Sequence, residues 1–154
     1  MDFLAQLYRN HVWSIAKTKG WHTEGDAMPT YRAWIRAEQM LRLDVLIIEH
    51  RNQFATAWEP LLGYKALTHL LFVRTGWSPQ EIEKLSFSET LLVLQQDLVN
   101  VQIPQGVLIV PDSVRWSLEC EVSQQDPCRI EWPPCSEDEW DPTLAEKAQG
   151  WRRS

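Results

Sequence analysis

Apolar residues recur at every third or fourth position through the first hundred residues, then at every second position beyond about residue 107. The first period is that of an amphipathic helix and the second that of a half-buried strand. Leu4, Leu7 or Tyr8, Val12 and Ile15 form the stripe of a first helix, from an Asp2 N-cap to Lys19, with Gly20 as its stop. The loop WHTEGDAMP (21–29) separates it from a second helix, about Thr30 to Arg51. There Trp34, Ala37, Leu41, Val45 and Ile48 define a core face that Leu43 and Ile47 widen, which makes this helix central. Arg32, Arg36, Glu38 and Arg42 are expected to lie mostly away from that face.

Three Ser/Thr-x-x-Glu spacings mark further helix starts. Thr56–Glu59 predicts a third helix to about Arg74, with Leu61, Tyr64, Leu67 and Leu71 inward and Gly76 beyond its end. Ser78–Glu81 predicts a short helix to about Leu85. Ser86–Glu89 predicts another to about Asn100, with Leu91, Leu92, Leu94 and Leu98 apolar.

After Pro104 the pattern changes. VLIV (107–110) is short and β-branched, VRWSLECEV (114–122) alternates without a break, and CRIEW (128–132) resumes after the turn-forming SQQDP. Pro133-Pro134 ends the run, and Asp141-Pro142 can open a helix to about Gln149. The expected fold is therefore α+β and mainly α. About five helices (residues 2–100) pack on a small antiparallel β-meander (about 107–132) in a single domain, residues 1–132. An acidic tail with Trp and Pro, residues 133–154, follows and carries a short C-terminal helix.

Composition changes this picture in three places. Nine Trp in 154 residues is a high count, and Trp serves cores and interfaces alike because its indole N–H still needs a partner. The net charge of −6 is uneven: residues 1–75 carry nine Lys/Arg against seven Asp/Glu, and residues 76–154 carry six against fourteen. An acidic second half suits a basic partner and opposes a phosphate backbone, so nucleic acid is not an expected partner. No basic, apolar leader opens the chain and no apolar run could span a bilayer. With three cysteines, an odd number, this suits a reducing compartment, and a cytoplasmic location without membrane contact is expected.

Candidate chemistry is sparse. The cysteines follow C-x7-C-x6-C without a tight pair, which does not converge four ligands on zinc. Cys120 and Cys128 are expected in the core of the strand face, and Cys135, after two prolines, is expected to be exposed. His22, Glu24 and Asp26 place three potential metal ligands in one loop, and H-x-E opens the zinc-deaminase signature. Neither Pro127-Cys128 nor Pro134-Cys135 supplies the second cysteine which that signature requires. No nucleophile elbow, Gly-rich phosphate loop or H-E-x-x-H motif occurs. His50 and His69 read as isolated structural histidines. No cofactor or metal is expected.

Residues 67–85 imitate a helix-turn-helix around Gly76, but Glu81 and Glu83 give the second helix the wrong sign for DNA. The stretch GWSPQEIEKLSFSETLLVL (76–94) resembles a short helical segment of bacteriophage tail-assembly chaperones. That resemblance covers about twenty residues, implies a bacterial or phage mobile-element origin and transfers no functional residue. The segment from Glu131 to Asp141 mixes two Trp, two Pro and five carboxylates, a composition that suits a basic protein surface. The expected function is non-catalytic protein binding, as an adaptor, chaperone or inhibitor, through Trp132, Glu137, Asp138, Glu139 and Trp140. A transcription regulator using residues 67–85 is one alternative. An enzyme or metal-binding protein using His22, Glu24 and Asp26 is the other.

Overall fold

The computed structural model describes residues 3–21, 29–112, 114–115 and 135–149. Two long helices, α1 (Leu4–Lys19) and α2 (Tyr31–Phe54), make the most extensive helix pair. Leu4, Leu7, Tyr8, Val12 and Ile15 are buried along α1, and Ala33, Ala37, Met40, Leu41 and Ile48 along α2, within one continuous core. Each such Leu or Ile side chain contributes about 1.5–3 kcal/mol on burial. The Tyr8 hydroxyl donates to the Trp34 carbonyl at 3.3 Å, and the two rings meet edge to face. Gly20 ends α1 in the left-handed region (φ 69°), where its N–H returns to the Ala16 carbonyl.

The next four helices are α3 (Tyr64–Thr75), α4 (Pro79–Glu83), α5 (Phe87–Val93) and α6 (Gln95–Asn100). Ser78 and Ser86 cap α4 and α5 with complete reciprocal boxes to Glu81 and Glu89. The Thr56–Glu59 spacing, by contrast, opens no helix. Its hydrogen bonds close a tight turn, with Thr56 N–H on the Glu59 carbonyl at 2.9 Å and Glu59 N–H on Thr56 Oγ1 at 3.0 Å. Pro60 lacks the N–H that would have reached back to the Thr56 carbonyl, so the first helical bond cannot form. The chain then takes positive φ at Leu61 (57°) and Gly63 (64°) before α3 begins.

The single helix expected over Ser86–Asn100 is interrupted at Leu94 (φ −92°, ψ 5°). Leu94 and Leu98 are buried, and Leu92 is three-quarters exposed (75%). Arg42 of α2 donates to the carbonyls of Leu98 (3.2 Å) and Val101 (3.0 Å), satisfying the end of α6.

The expected α+β fold is corrected here: the structure is mostly helical, and the described residues form no sheet and no β-meander. Residues 107–110 follow a Gly106 turn as irregular chain, with Val107 buried and Ile109 exposed. Among the described residues no strand pairs with it, and Val107, Leu108 and Val110 pack on the core. At the start of the second expected strand the backbone is helical, and Arg115 N–H reaches the Pro111 carbonyl. Val110 and Val114 lie four apart, a spacing that also suits one face of a helix. The remainder of the expected meander, with Cys120 and Cys128, lies outside the described residues.

The C-terminal segment docks on the helical body. It comprises a 3-10 turn (Glu137–Glu139) and α7 (Pro142–Ala148), which is capped by Asp141 on the Thr143 N–H. No described helix is long and apolar enough to cross a membrane.

Candidate functional site

Helix α2 carries three charged residues inside its buried surface: Arg36, Asp44 and Arg51. Steps of eight and seven residues are close to two helical turns, so all three sit on one side of the cylinder. Each meets the C-terminal segment. Arg36 Nη1 donates to both Glu139 oxygens, at 2.7 and 2.8 Å. The Trp140 indole N–H donates to Asp44 Oδ1 at 2.9 Å, while His11 Nε2 of α1 bonds the other oxygen, Oδ2. Arg51 lies 3.6 Å from Glu146 Oε1 and donates to Gln149 Oε1 at 3.3 Å.

These groups are as buried as the hydrocarbon core: Glu139 is 1% exposed, Glu146 0%, Asp44 1% and His11 0%. Trp140 fits the same groove, stacked on Phe87 with centroids 5.8 Å apart and edge-on to Tyr64 at 5.3 Å. Ser136 N–H donates to Glu139 Oε2 at 2.7 Å, and Lys19 donates to Ser136 Oγ at the same distance. Further along, Glu146 accepts from Gly63 N–H, and Arg51 donates to the Leu61 carbonyl at 3.4 Å. Those two contacts hold the positive-φ stretch, which is strained at Leu61 and ordinary for a glycine at Gly63.

The expected partner residues therefore divide. Glu139 and Trp140 are interior, Glu137 and Asp138 face solvent, and Trp132 lies outside the described residues. Hydrogen bonding from Ser136 holds the Asp138 carboxyl below its ordinary range. Cys135, expected to be exposed, is buried next to Arg36 and Glu139, and burial pushes its thiol up to about 12. That thiol is inert as a nucleophile at neutral pH. His50 and His69 are not isolated: His50 Nε2 and His69 Nδ1 are 2.7 Å apart, flanked by the ring of Phe54. Burial first, then His69 and Arg74, bring the His50 pKa down to about 4. Among the described residues no cluster of three or more His, Cys, Asp or Glu could hold a metal. His22, Glu24 and Asp26 lie outside them. The second helix of the helix-turn-helix reading is α4, only five residues long, and its outward side chains include Glu81 and Glu83.

A cleft of about 750 Å³ opens between α2 and α5–α6. Leu91 and Leu98 form its apolar floor, and Leu92 and Val99 (58% exposed) stand on its lip. Of its charged groups, Arg42 bonds Glu38 at 3.2 Å as well as the end of α6, and Glu89 accepts from Ser86 N–H; Gln39, Ser88 and Gln95 also line it.

Sequence reasoning missed Arg36, Asp44 and Arg51 as a set. A signal was there: three charges recur at two-turn spacing, and Arg36 and Asp44 each stand between apolar residues. It missed Glu139 as an interior residue too, although Ser136-x-x-Glu139 has capping-box spacing. The chain was compared with protein-family models, with curated proteins and with solved structures, and none of them matches it.

Proposed function

We propose that this chain is a non-catalytic protein-binding protein, of the adaptor, chaperone or inhibitor kind, and that its partner enters the cleft between α2 and α5–α6. The observation that carries the reading is the lip of exposed Leu92 and Val99 above the apolar floor of Leu91 and Leu98. A groove of this kind takes the apolar face of an amphipathic helix. Glu38 and Glu89 flank it, and the second half of the chain is acidic in its overall balance. The partner is accordingly a helix with basic flanking residues, steered in by charge and held by apolar contact.

Leu92→Asp and Val99→Asp test this. Both side chains are exposed, so the fold should persist by circular dichroism. A photo-crosslinker placed at Ser88, on the cleft wall, should label a defined protein in host lysate with the wild-type chain. The double variant should lose that product by an order of magnitude or more. Equal crosslinking by the two chains would refute the cleft as the binding surface.

A further inference from the structure

We infer that a second pocket, walled by α3, α4, α5 and the 3-10 turn, binds an arginine side chain presented by a protein partner. It is separate from the cleft between α2 and α5–α6, with which it shares no lining residue. Its volume is about 240 Å³, below the roughly 300–1,000 Å³ of sites that enclose a whole small molecule. That space suits one side chain.

Local signals in the chain build the pocket. Tyr64, Leu67, Thr68 and Leu71 share one face of α3. The capping boxes at Ser78 and Ser86 start α4 and α5, which bring Ile82, Glu83, Phe87 and Thr90 to the same space. The docked C-terminal segment closes the remaining side with Glu137. The floor is hydrocarbon: Leu67, Leu71, Ile82 and Phe87 are buried, and Leu85 is partly buried against the core.

The side-chain polar groups around that floor offer only acceptors. Thr68 Oγ1 donates to the Tyr64 carbonyl and Thr90 Oγ1 to the Ser86 carbonyl, each at 3.1 Å. The Tyr64 hydroxyl donates to the Glu137 carbonyl at 3.5 Å. A hydroxyl has one hydrogen, so these three oxygens present lone pairs alone. Glu83 and Glu137 add two exposed carboxylates, and neither carboxylate has a bonding partner among the described residues. No described side chain lining the pocket carries an N–H. Burial first, then the negative charge of Glu137 and Asp141, raises the Tyr64 pKa, so the phenol keeps its proton and the mouth favours a cation.

An anionic ligand would meet two like charges here and find no side-chain donor. What fits is an apolar stem ending in a donor-rich cation. Arginine fits better than lysine. Its planar head carries five donors, enough to serve acceptors on α3, α4 and the 3-10 turn together, whereas an ammonium carries three.

The test titrates N-acetyl-arginine amide into the full-length chain and follows the methyl signals of Leu67, Leu71, Ile82 and Leu85 by NMR. These signals should shift together and saturate at millimolar concentration, while the methyls of Leu92 and Val99 stay still. The citrulline analogue keeps the shape without the charge and should bind at least tenfold more weakly. The lysine analogue should bind several-fold more weakly. Glu83→Gln combined with Glu137→Gln changes two exposed side chains, so the fold should persist, and affinity should fall at least tenfold. A single amino acid is the probe, so the result does not depend on whether a helix enters the α2 cleft. The inference would be overturned by absence of saturable shifts at the four residues, or by equal binding of the citrulline or lysine analogue. Undiminished binding to the double variant would overturn it as well.

Discussion

Helix α2 has two kinds of neighbour, and it meets them in opposite ways. Towards α1 it offers hydrocarbon: the two helices share one buried cluster in which almost every side chain is apolar. Towards residues 135–149 it offers Arg36, Asp44 and Arg51, all buried and all with polar partners. An apolar interface is held by area, and it tolerates small changes of shape. A buried polar interface adds little net energy over an apolar one, yet it admits only one alignment. The long helix pair thus supplies stability, and the polar ladder places one short segment.

Asp44 is where the two meet, since His11 of α1 and Trp140 of the C-terminal segment occupy its two oxygens. Asp44→Ala removes both bonds and strands two buried polar groups. It should lower stability by about 3–5 kcal/mol, read as a shift of the urea midpoint at unchanged slope. Asp44→Asn keeps an acceptor for the indole and should lose clearly less. A loss under about 1 kcal/mol for Asp44→Ala would erase the distinction between the two faces.

A third face of α2, towards α3, lies between these extremes and can be isolated by pH. His50 is held neutral, its pKa brought down to about 4 from an unfolded value near 6.5. Between those values the unfolded chain binds the extra proton, so stability is complete above about pH 6.5 and declines as pH falls towards 4. From pH 7 to pH 5 the decline should be about 1–2 kcal/mol, the lower end applying where water screens the ring. His50→Leu should remove that portion of the slope in unfolding curves taken at the two pH values. The α1–α2 hydrocarbon cluster has no such dependence. An unchanged slope in the variant would show that His50 is not the titrating group.

Ile15→Val measures the tolerant face directly. Ile15 is fully buried, and removing one methylene should lower stability by about 0.5–1.5 kcal/mol. A loss as large as that of Asp44→Ala would mean that the α1–α2 packing is no more forgiving than the polar ladder.

What could be read from the sequence follows the same division. The stripe Leu4, Leu7, Val12, Ile15 and its counterpart on α2 were legible because area-driven packing leaves a simple period. Gly20, Gly76, Ser78 and Ser86 were legible because each acts on its own local backbone. Errors arose where a local signal met a longer-range one. Thr56–Glu59 has the spacing of a cap, but Pro60 and the contacts of Arg51 and Glu146 convert it to a turn. Val110 and Val114 lie four apart, a helical spacing, and the backbone at Asp112, Val114 and Arg115 is helical. In the candidate site, Trp140 and the carboxylates drew attention to their segment, whereas the inward course of Glu139 depends on a partner, Arg36, 103 residues away. Pattern within a helix cannot reveal such a pairing. Leu92 shows the converse, an apolar residue expected in the stripe but exposed, because it lies off the line of Leu91, Leu94 and Leu98.

The smallest expected effect is the most informative. Arg36→Ala alone should be severe, because Glu139 would stay buried without its partner. Arg36→Met together with Glu139→Leu replaces the pair by hydrocarbon of similar volume, and stability should remain within about 1 kcal/mol of the wild type. What should change is alignment. Once Glu139 no longer fixes the segment on α2, Trp140 should lose its single environment between Phe87 and Tyr64. Its indole N–H should exchange with solvent faster, and the near-ultraviolet dichroism of its ring should weaken. Unchanged stability with a loosened Trp140 would establish that the ion pair specifies position and contributes little energy. Unchanged stability with Trp140 still fixed would transfer that role to Asp44, the remaining polar contact to the ring itself.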